Sequence, residues 1–107
     1  NPASMAAALD NFDLIEGENK MVILGDMREL GADSQKEHQR IVARLEQMLL
    51  REVWLVGREF AGVRHPFRSF ANVEEVKQEL AQRPLSGRTI LIKGSNGIRL
   101  QQLPEHL

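Results

Sequence analysis

The spacing of apolar residues along this chain switches repeatedly between a helical period and unbroken short runs, and the switches outline its elements. Met5, Ala8, Leu9, Phe12 and Ile15 recur at helical spacing, which predicts a helix over 2–16, opened by Asn1-Pro2 and stopped at Gly17. Met21-Val22-Ile23-Leu24 has no such period, and a continuous apolar run bounded by turn residues predicts a buried strand over 20–24. Ile41, Leu45, Met48 and Leu49 mark the buried stripe of a second helix, started by Asp33 or Ser34, with Glu37 completing a capping box, and ending near Leu50. Val53-Trp54-Leu55-Val56 is a second strand, Arg58 to Val63 has room for a turn of helix, and Phe67 to Phe70 is a short third strand that Pro66 places at an edge. Asn72 caps a helix whose Val73, Val76 and Leu80 face inward, with Glu74 and Glu75 at its positive start. Thr89 to Lys93 is a fourth strand, apolar enough to predict burial on both faces, and Ile98 to Leu103 begins a last short helix limited by Pro104.

Strands alternating with helices imply parallel βαβ units joined by right-handed crossovers. The expected fold class is therefore α/β, a three-layer α/β/α sandwich with a mainly parallel, Rossmann-like sheet. The two strands at 20–25 and 53–57 need central places, which gives the spatial order 3-2-1-4. With 107 residues the chain is expected to be a single domain over 1–107, with one modest core. A buried first helix in such a fold ordinarily returns from a strand, so the chain is expected to lie inside a larger protein.

Composition narrows the function classes. Formal net charge is −1, from 14 basic and 15 acidic residues, so no whole-chain field favours nucleic acid or an anionic membrane, and any charged ligand must be held locally. The absence of cysteine removes disulfides, thiolate chemistry and cysteine-bound zinc. His38, His65 and His106 are widely spaced and form no metal-ligand motif. No apolar stretch approaches the ~20 residues needed to span a bilayer, and no leader is visible. A soluble, cytoplasmic protein is expected.

The polar chemistry gathers at strand ends, where open α/β sheets bind ligands. Lys93-Gly94-Ser95 combines a point charge, a residue that lets backbone approach a ligand, and a hydroxyl that both donates and accepts. That trio suits a carboxylate or phosphate; equally, a strand-ending lysine reaches water beside an ordinary turn. Gly25-Asp26 offers an acceptor to a ligand ammonium, or a side chain that merely forms the turn. The Gly25 to Ala32 loop, with two glycines and three charged residues, reads as a mobile surface connection with a solvated Arg28. His38 is expected to be exposed or capping, Trp54 to be core, and His65 and His106 to lie on the surface. There is no G-x-x-x-x-G-K-[ST] loop, no G-x-G-x-x-G after a strand and no G-x-S-x-G elbow. The chain reads as a binder of substrate parts and not as a complete catalyst.

Asn1-Pro2-Ala3-Ser4-Met5, Leu24-Gly25-Asp26-Met27-Arg28-Glu29-Leu30-Gly31, His38 in the following helix, Val56-Gly57 and Lys93-Gly94-Ser95 together resemble the C-terminal domain of a Mur ligase, in order and spacing across nearly the whole chain. Within that family the resemblance is to the branch that adds D-Ala-D-Ala to UDP-MurNAc-tripeptide in peptidoglycan synthesis. It implies a three-domain, ATP-dependent ligase in which ATP and Mg2+ are bound mainly by a central ATPase domain outside this chain. It places Gly25, Asp26, Lys93, Gly94, Ser95 and Asn96 on the dipeptide side of the pocket and Asn1 and Ser4 near the nucleotide cleft. It supplies no catalytic residue and no metal ligand here. The family more often has Arg where this chain has Asn96, and a Glu near Gln101. Two other classes compete. A flavodoxin-like signalling receiver needs an acidic cluster for Mg2+, and Asp26 has no second acid beside it at its strand end. A free-standing nucleotide-binding domain needs the absent glycine fingerprint.

Overall fold

Strands β1 (Lys20–Gly25), β2 (Glu52–Val56), β3 (Arg68–Phe70) and β4 (Thr89–Lys93) form one parallel sheet in the order β3-β2-β1-β4 in the computed structural model, which describes residues 1–107. In register, Val22 lies opposite Val53 on one side and Leu91 on the other. Helices α1 (Pro2–Asp13), α2 (Ser34–Glu46) and α3 (Arg58–Ala61) cover one face, and α4 (Val73–Gln82) with the 3-10 segment Leu100–His106 covers the other. β1 is buried at every position because alternate residues enter the two cores: Val22 and Leu24 pack with Met5, Leu9, Ile41 and Phe60, whereas Met21 and Ile23 pack with Trp54, Val76 and Leu103. The expected class, strand order and α4 cap are all present; Asn72 Oδ1 accepts from the Glu75 N–H at 3.0 Å. No helix is long and apolar enough to cross a membrane.

Four expectations are corrected. The fourth strand is not buried on both faces: Thr89 is exposed and Ile90 to Lys93 are half-buried, because β4 lies at the edge with β1 as its one neighbour. The first helix ends at Asp13, leaving Ile15 47 % exposed. Its end is taken by Lys20, whose Nζ donates to the carbonyls of Phe12 at 3.0 Å and Ile15 at 2.8 Å, satisfying acceptors that the last helical turn leaves free. The second helix stops at Glu46, and Leu49, placed in its buried stripe, is 89 % exposed, since the chain is already turning toward β2 there. The Ser34–Glu37 capping box does not form. A 3-10 turn at Gly31–Asp33 leads into α2, Ser34 Oγ donates to Glu59 Oε1 at 2.6 Å, and Glu37 pairs with Arg40.

Lys20 is 4 % exposed, so replacing it strands buried carbonyls. Lys20→Met should lower unfolding free energy by about 2–3 kcal/mol, read by urea denaturation; a loss under about 0.5 kcal/mol would contradict the helix-end role. A second test concerns pH. Hydrogen bonds from Arg68 and then Arg83 hold the Glu79 carboxyl at about 2, below its ordinary 4.5. A depressed folded-state value means that the stabilisation is complete above pH 4.5 and is lost as pH falls toward 2. Glu79→Gln should therefore flatten the stability curve in that window and leave its shape at neutral pH unchanged.

Candidate functional site

The carboxyl ends of β1 and β4 form the switch point of the sheet, since the chain leaves β1 toward β2 but reaches β4 from the opposite direction. The two backbones come close there because both ends are glycine. A Cβ on Gly94 would stand 2.9 Å from the Gly25 Cα, and one on Gly25 would stand 2.8 Å from Ile98 Cγ2. Just beyond, the Ser95 N–H donates to the Asp26 carbonyl at 3.1 Å, and the Asp26 N–H donates to the Val56 carbonyl at 3.0 Å. One residue thus ties together the ends of three strands.

The Asp26 side chain extends that tie. It is buried, and its Oδ1 and Oδ2 accept from the Phe60 and Glu59 N–H groups, each at 3.0 Å. These are first-turn amides of α3, which have no partner within the helix. Gly57, which precedes α3, has φ +120°, and a Cβ on it would overlap the Asp26 carboxyl group. Asp26 therefore sits beneath the site with both oxygens engaged. It does not stand as a free acceptor facing solvent.

The loop after β1 was expected to be mobile, with an exposed or capping His38 behind it. Instead Met27 is buried and His38 is completely buried. The His38 Nδ1 lies 2.8 Å from the Ser34 carbonyl, which can only accept, so the proton is on Nδ1; Nε2 is then free to accept the Met27 N–H at 3.0 Å. Phe60 meets the ring edge-on at a centroid distance of 4.6 Å. The signal for this was present in the spacing of His38 with Ile41, Val42 and Leu45, which share its buried helix face. Past Met27 the loop turns outward, with Glu29 at φ 63°, and the Arg28 guanidinium lies so close over Gly97 that a Cβ there would stand 2.8 Å from Nη1.

Arg28 separates two clefts. The larger, about 770 Å³, lies over the ends of β2 and β3, and its cations Arg28, Arg58 and Arg99 are offset by Asp26, Glu29, Glu59 and Glu74. The smaller, about 520 Å³, lies at the switch point between Asn1, Met27, Lys93, Gly94, Ser95 and Asn96. It shares Arg28 and Glu29 with the larger cleft and adds Lys93, so cations outnumber carboxylates in its lining. Lys93 takes part in none of the chain's ion pairs, and the Ser95 Oγ is buried with no hydrogen-bond partner. Native structures pair the great majority of buried polar atoms, so an unpartnered hydroxyl and an ammonium outside every ion pair, on residues that line one cleft, suit a bound anion. Of the residues singled out from the sequence, Lys93, Gly94, Ser95, Asn96 and Asn1 come together here, while Gly25 lies against Gly94 and the buried Asp26 borders the larger cleft. Asn1 Oδ1 is occupied as the α1 cap, accepting the Ser4 N–H at 2.8 Å; Ser4 is exposed and lies outside the cleft lining. Met27, Arg28 and His38 were not anticipated as parts of the site. No group of three or more histidine and carboxylate side chains is placed to hold a metal ion.

A four-stranded parallel sheet with a polar cleft at its switch point defines an α/β domain of Rossmann-like architecture. The chain belongs to the Mur ligase family: the family model "Mur ligase, glutamate ligase domain" matches residues 1–96. It is 31 % identical over 112 residues to the UDP-N-acetylmuramoyl-tripeptide–D-alanyl-D-alanine ligase of Rickettsia prowazekii, covering 99 % of this chain and 25 % of that protein. The ligase of the same name from Treponema pallidum is also 31 % identical, with 96 % and 24 % covered. The chain thus spans about a quarter of the length of these curated relatives. Its fold is similar to part of the MurF ligase from Thermotoga maritima in complex with ADP, with TM-score 0.78 and 22 % identity over 99 % of this chain and 25 % of that one. A MurF from Acinetobacter baumannii gives TM-score 0.71 and 23 % identity over 98 % and 25 %.

The Asp26–Gly57 pair is open to test by stability alone. Asp26→Asn turns an amide NH2 toward one of two N–H donors and should cost about 1–3 kcal/mol. Gly57→Ala forces a side chain into a left-handed backbone already filled by the carboxylate and should cost about 2 kcal/mol or more. Urea unfolding curves that superpose on those of the parent chain would show that the tie beneath the cleft is dispensable.

Proposed function

We propose that residues 1–107 are the C-terminal, amine-substrate-binding domain of a larger, three-domain, ATP-dependent ligase that adds D-Ala-D-Ala to UDP-MurNAc-tripeptide in bacterial cytoplasmic peptidoglycan synthesis. The observation that carries this reading is that the switch-point cleft is lined both by Lys93, which is in no ion pair, and by Ser95, whose hydroxyl has no partner. It is supported by the activity in the names of the two curated relatives.

A dipeptide is a zwitterion, and an amide ligase must hold its carboxylate while leaving its amine free to attack. Lys93 and Ser95 supply a charge-assisted contact and a hydroxyl donor to the carboxylate, and Gly94 lets the ligand approach the backbone between them. Asn96 stands at the rim, where an amide donor takes the place of the guanidinium more common in this family. Asp26 acts through position: by fixing the β1 end, α3 and Ser95, it sets the distance between the cleft floor and its cation. The amine then points out of the cleft toward the central ATPase domain, where ATP converts the acceptor carboxyl group to an acyl phosphate. Asn1 and Ser4, on the first turn of α1, border the nucleotide side of that inter-domain space. The residues of this chain do not form a cage for Mg2+, and nucleotide phosphates with their metal are assigned to the central domain.

In the full-length ligase, Lys93→Ala should raise the KM for D-Ala-D-Ala about 10- to 150-fold, the loss of a contact of about 1.5–3 kcal/mol, and leave the KM for ATP nearly unchanged. Varying each substrate separately checks this. Equal losses for both would mean that Lys93 stabilises domain closure and does not touch the dipeptide. The 107-residue chain alone should neither hydrolyse ATP nor form the amide, and ATPase activity copurifying with it would overturn the division of labour.

A further inference from the structure

Very little separates the two clefts. Their linings have only Arg28, Glu29 and Gly97 in common, so these three residues are the wall between them. On either side of the wall the backbone is held by the chain's own hydrogen bonds. The Met27 N–H is fixed on His38 Nε2, and Glu29 at φ 63° then turns the loop outward. The turn after β4 is tied by the Ser95 N–H to the Asp26 carbonyl and by the Ile98 N–H to the Ser95 carbonyl, both at 3.1 Å. One side chain crosses the gap between these posts. The Arg28 guanidinium lies over Gly97, where a Cβ would stand 2.8 Å from Nη1, 3.0 Å from Cζ and 3.4 Å from Nε.

No ion pair claims this guanidinium, and Arg28 lies outside the core. Its place is therefore explained neither by charge pairing nor by burial. Its effect is geometric: it closes the cleft of about 520 Å³ against the one of about 770 Å³. Past the wall, Ala71, Val73 and Ile98 line the larger cleft, apolar surface of the kind a longer ligand side chain would cover.

The placement of a dipeptide decides which of its side chains meets the wall. With the carboxylate toward Lys93 and Ser95 and the amine directed outward, the terminal residue carries its side chain on the carbon that bears the carboxylate, inside the cleft. The first residue's side chain lies toward the mouth. We propose that Arg28, laid over Gly97, is a specificity-determining residue that limits the terminal side chain of the dipeptide to about the size of a methyl group. It takes no part in reading the first residue. The inference rests on the proposed dipeptide site, from which it takes the position of the carboxylate.

Steady-state kinetics of the full-length ligase with D-Ala-D-Ala, D-Ala-D-Leu and D-Leu-D-Ala test the wall. The parent enzyme should discriminate against D-Ala-D-Leu, and Arg28→Ala should raise the kcat/KM of D-Ala-D-Leu relative to D-Ala-D-Ala about tenfold or more, as steric differences in a pocket do. The same variant should leave the ratio for D-Leu-D-Ala within about twofold of the parent's. Arg28→Met keeps most of the length and bulk of the side chain without its charge, and should retain the discrimination. A parent enzyme that takes D-Ala-D-Leu as readily as D-Ala-D-Ala, or a ratio that Arg28→Ala leaves unmoved, would overturn the proposal. An equal rise for D-Leu-D-Ala would do the same, since it means a general loosening. So would a loss of discrimination in Arg28→Met equal to that in Arg28→Ala, which makes Arg28 a charge contact and not a wall. An unmoved ratio beside a raised dipeptide KM in Lys93→Ala rejects the wall alone. A shifted ratio beside an ordinary dipeptide KM in Lys93→Ala keeps the wall and rejects the Lys93 contact alone.

Discussion

A buried carboxylate must be satisfied or it costs several kcal/mol, and the architecture around Asp26 answers that demand. Its two oxygens are met by the opening amides of α3, which fixes where α3 starts. Its backbone takes up groups from β2 and from the turn after β4, which fixes how far the strand ends diverge. The space its carboxyl fills admits only glycine at position 57. A short helix of four residues has little stability of its own, so α3 persists through this side chain and through Phe60, buried in the larger core. The strand ends around the cleft are thereby held in place by the protein's own groups, the condition for binding a small ligand without reorganisation.

Above those strand ends the pattern reverses. Beneath the cleft the polar groups are paired: Asp26 with α3, His38 with Ser34 and Met27. At the cleft itself Lys93 is in no ion pair and the buried Ser95 Oγ has no partner. The contrast separates groups that hold the loop from groups that it leaves unpaired. The two glycines at the strand ends serve the same division, since they bring β1 and β4 close enough for Ser95 to bond Asp26 while keeping side-chain bulk out of the opening.

The sheet and its order were legible because they depend on features that a single sequence carries: unbroken apolar runs, turn residues between them, and a handedness rule with few solutions. The site was half legible. Lys93, Gly94 and Ser95 could be picked out by their chemistry at a strand end, but the occupation of Asp26 by α3 could not, because its partners are more than thirty residues away and are backbone groups, which leave no mark in side-chain type. His38 was misjudged by weighing its polarity over its place on the helix stripe. The opposite error was made for Leu49 and Ile15, where apolarity was taken as burial although each lies just past a helix end. The exposure of β4 followed from the same habit of reading an apolar run without knowing its neighbours.

Helix α1 is fastened at both ends and along its length. Its first turn borders the cleft, Arg44 of α2 pairs with Asp10 and Asp13 on its outer side, and Lys20, the first residue of β1, holds its far end. Twelve helical residues span about 18 Å, so α1 is a strut running the depth of the domain from the ligand edge to the base of the central strand. A push along α1 at Asn1 therefore meets Lys20 at the base of β1 and Arg44 on α2, so the helix and the sheet bear such a load together instead of sliding past one another.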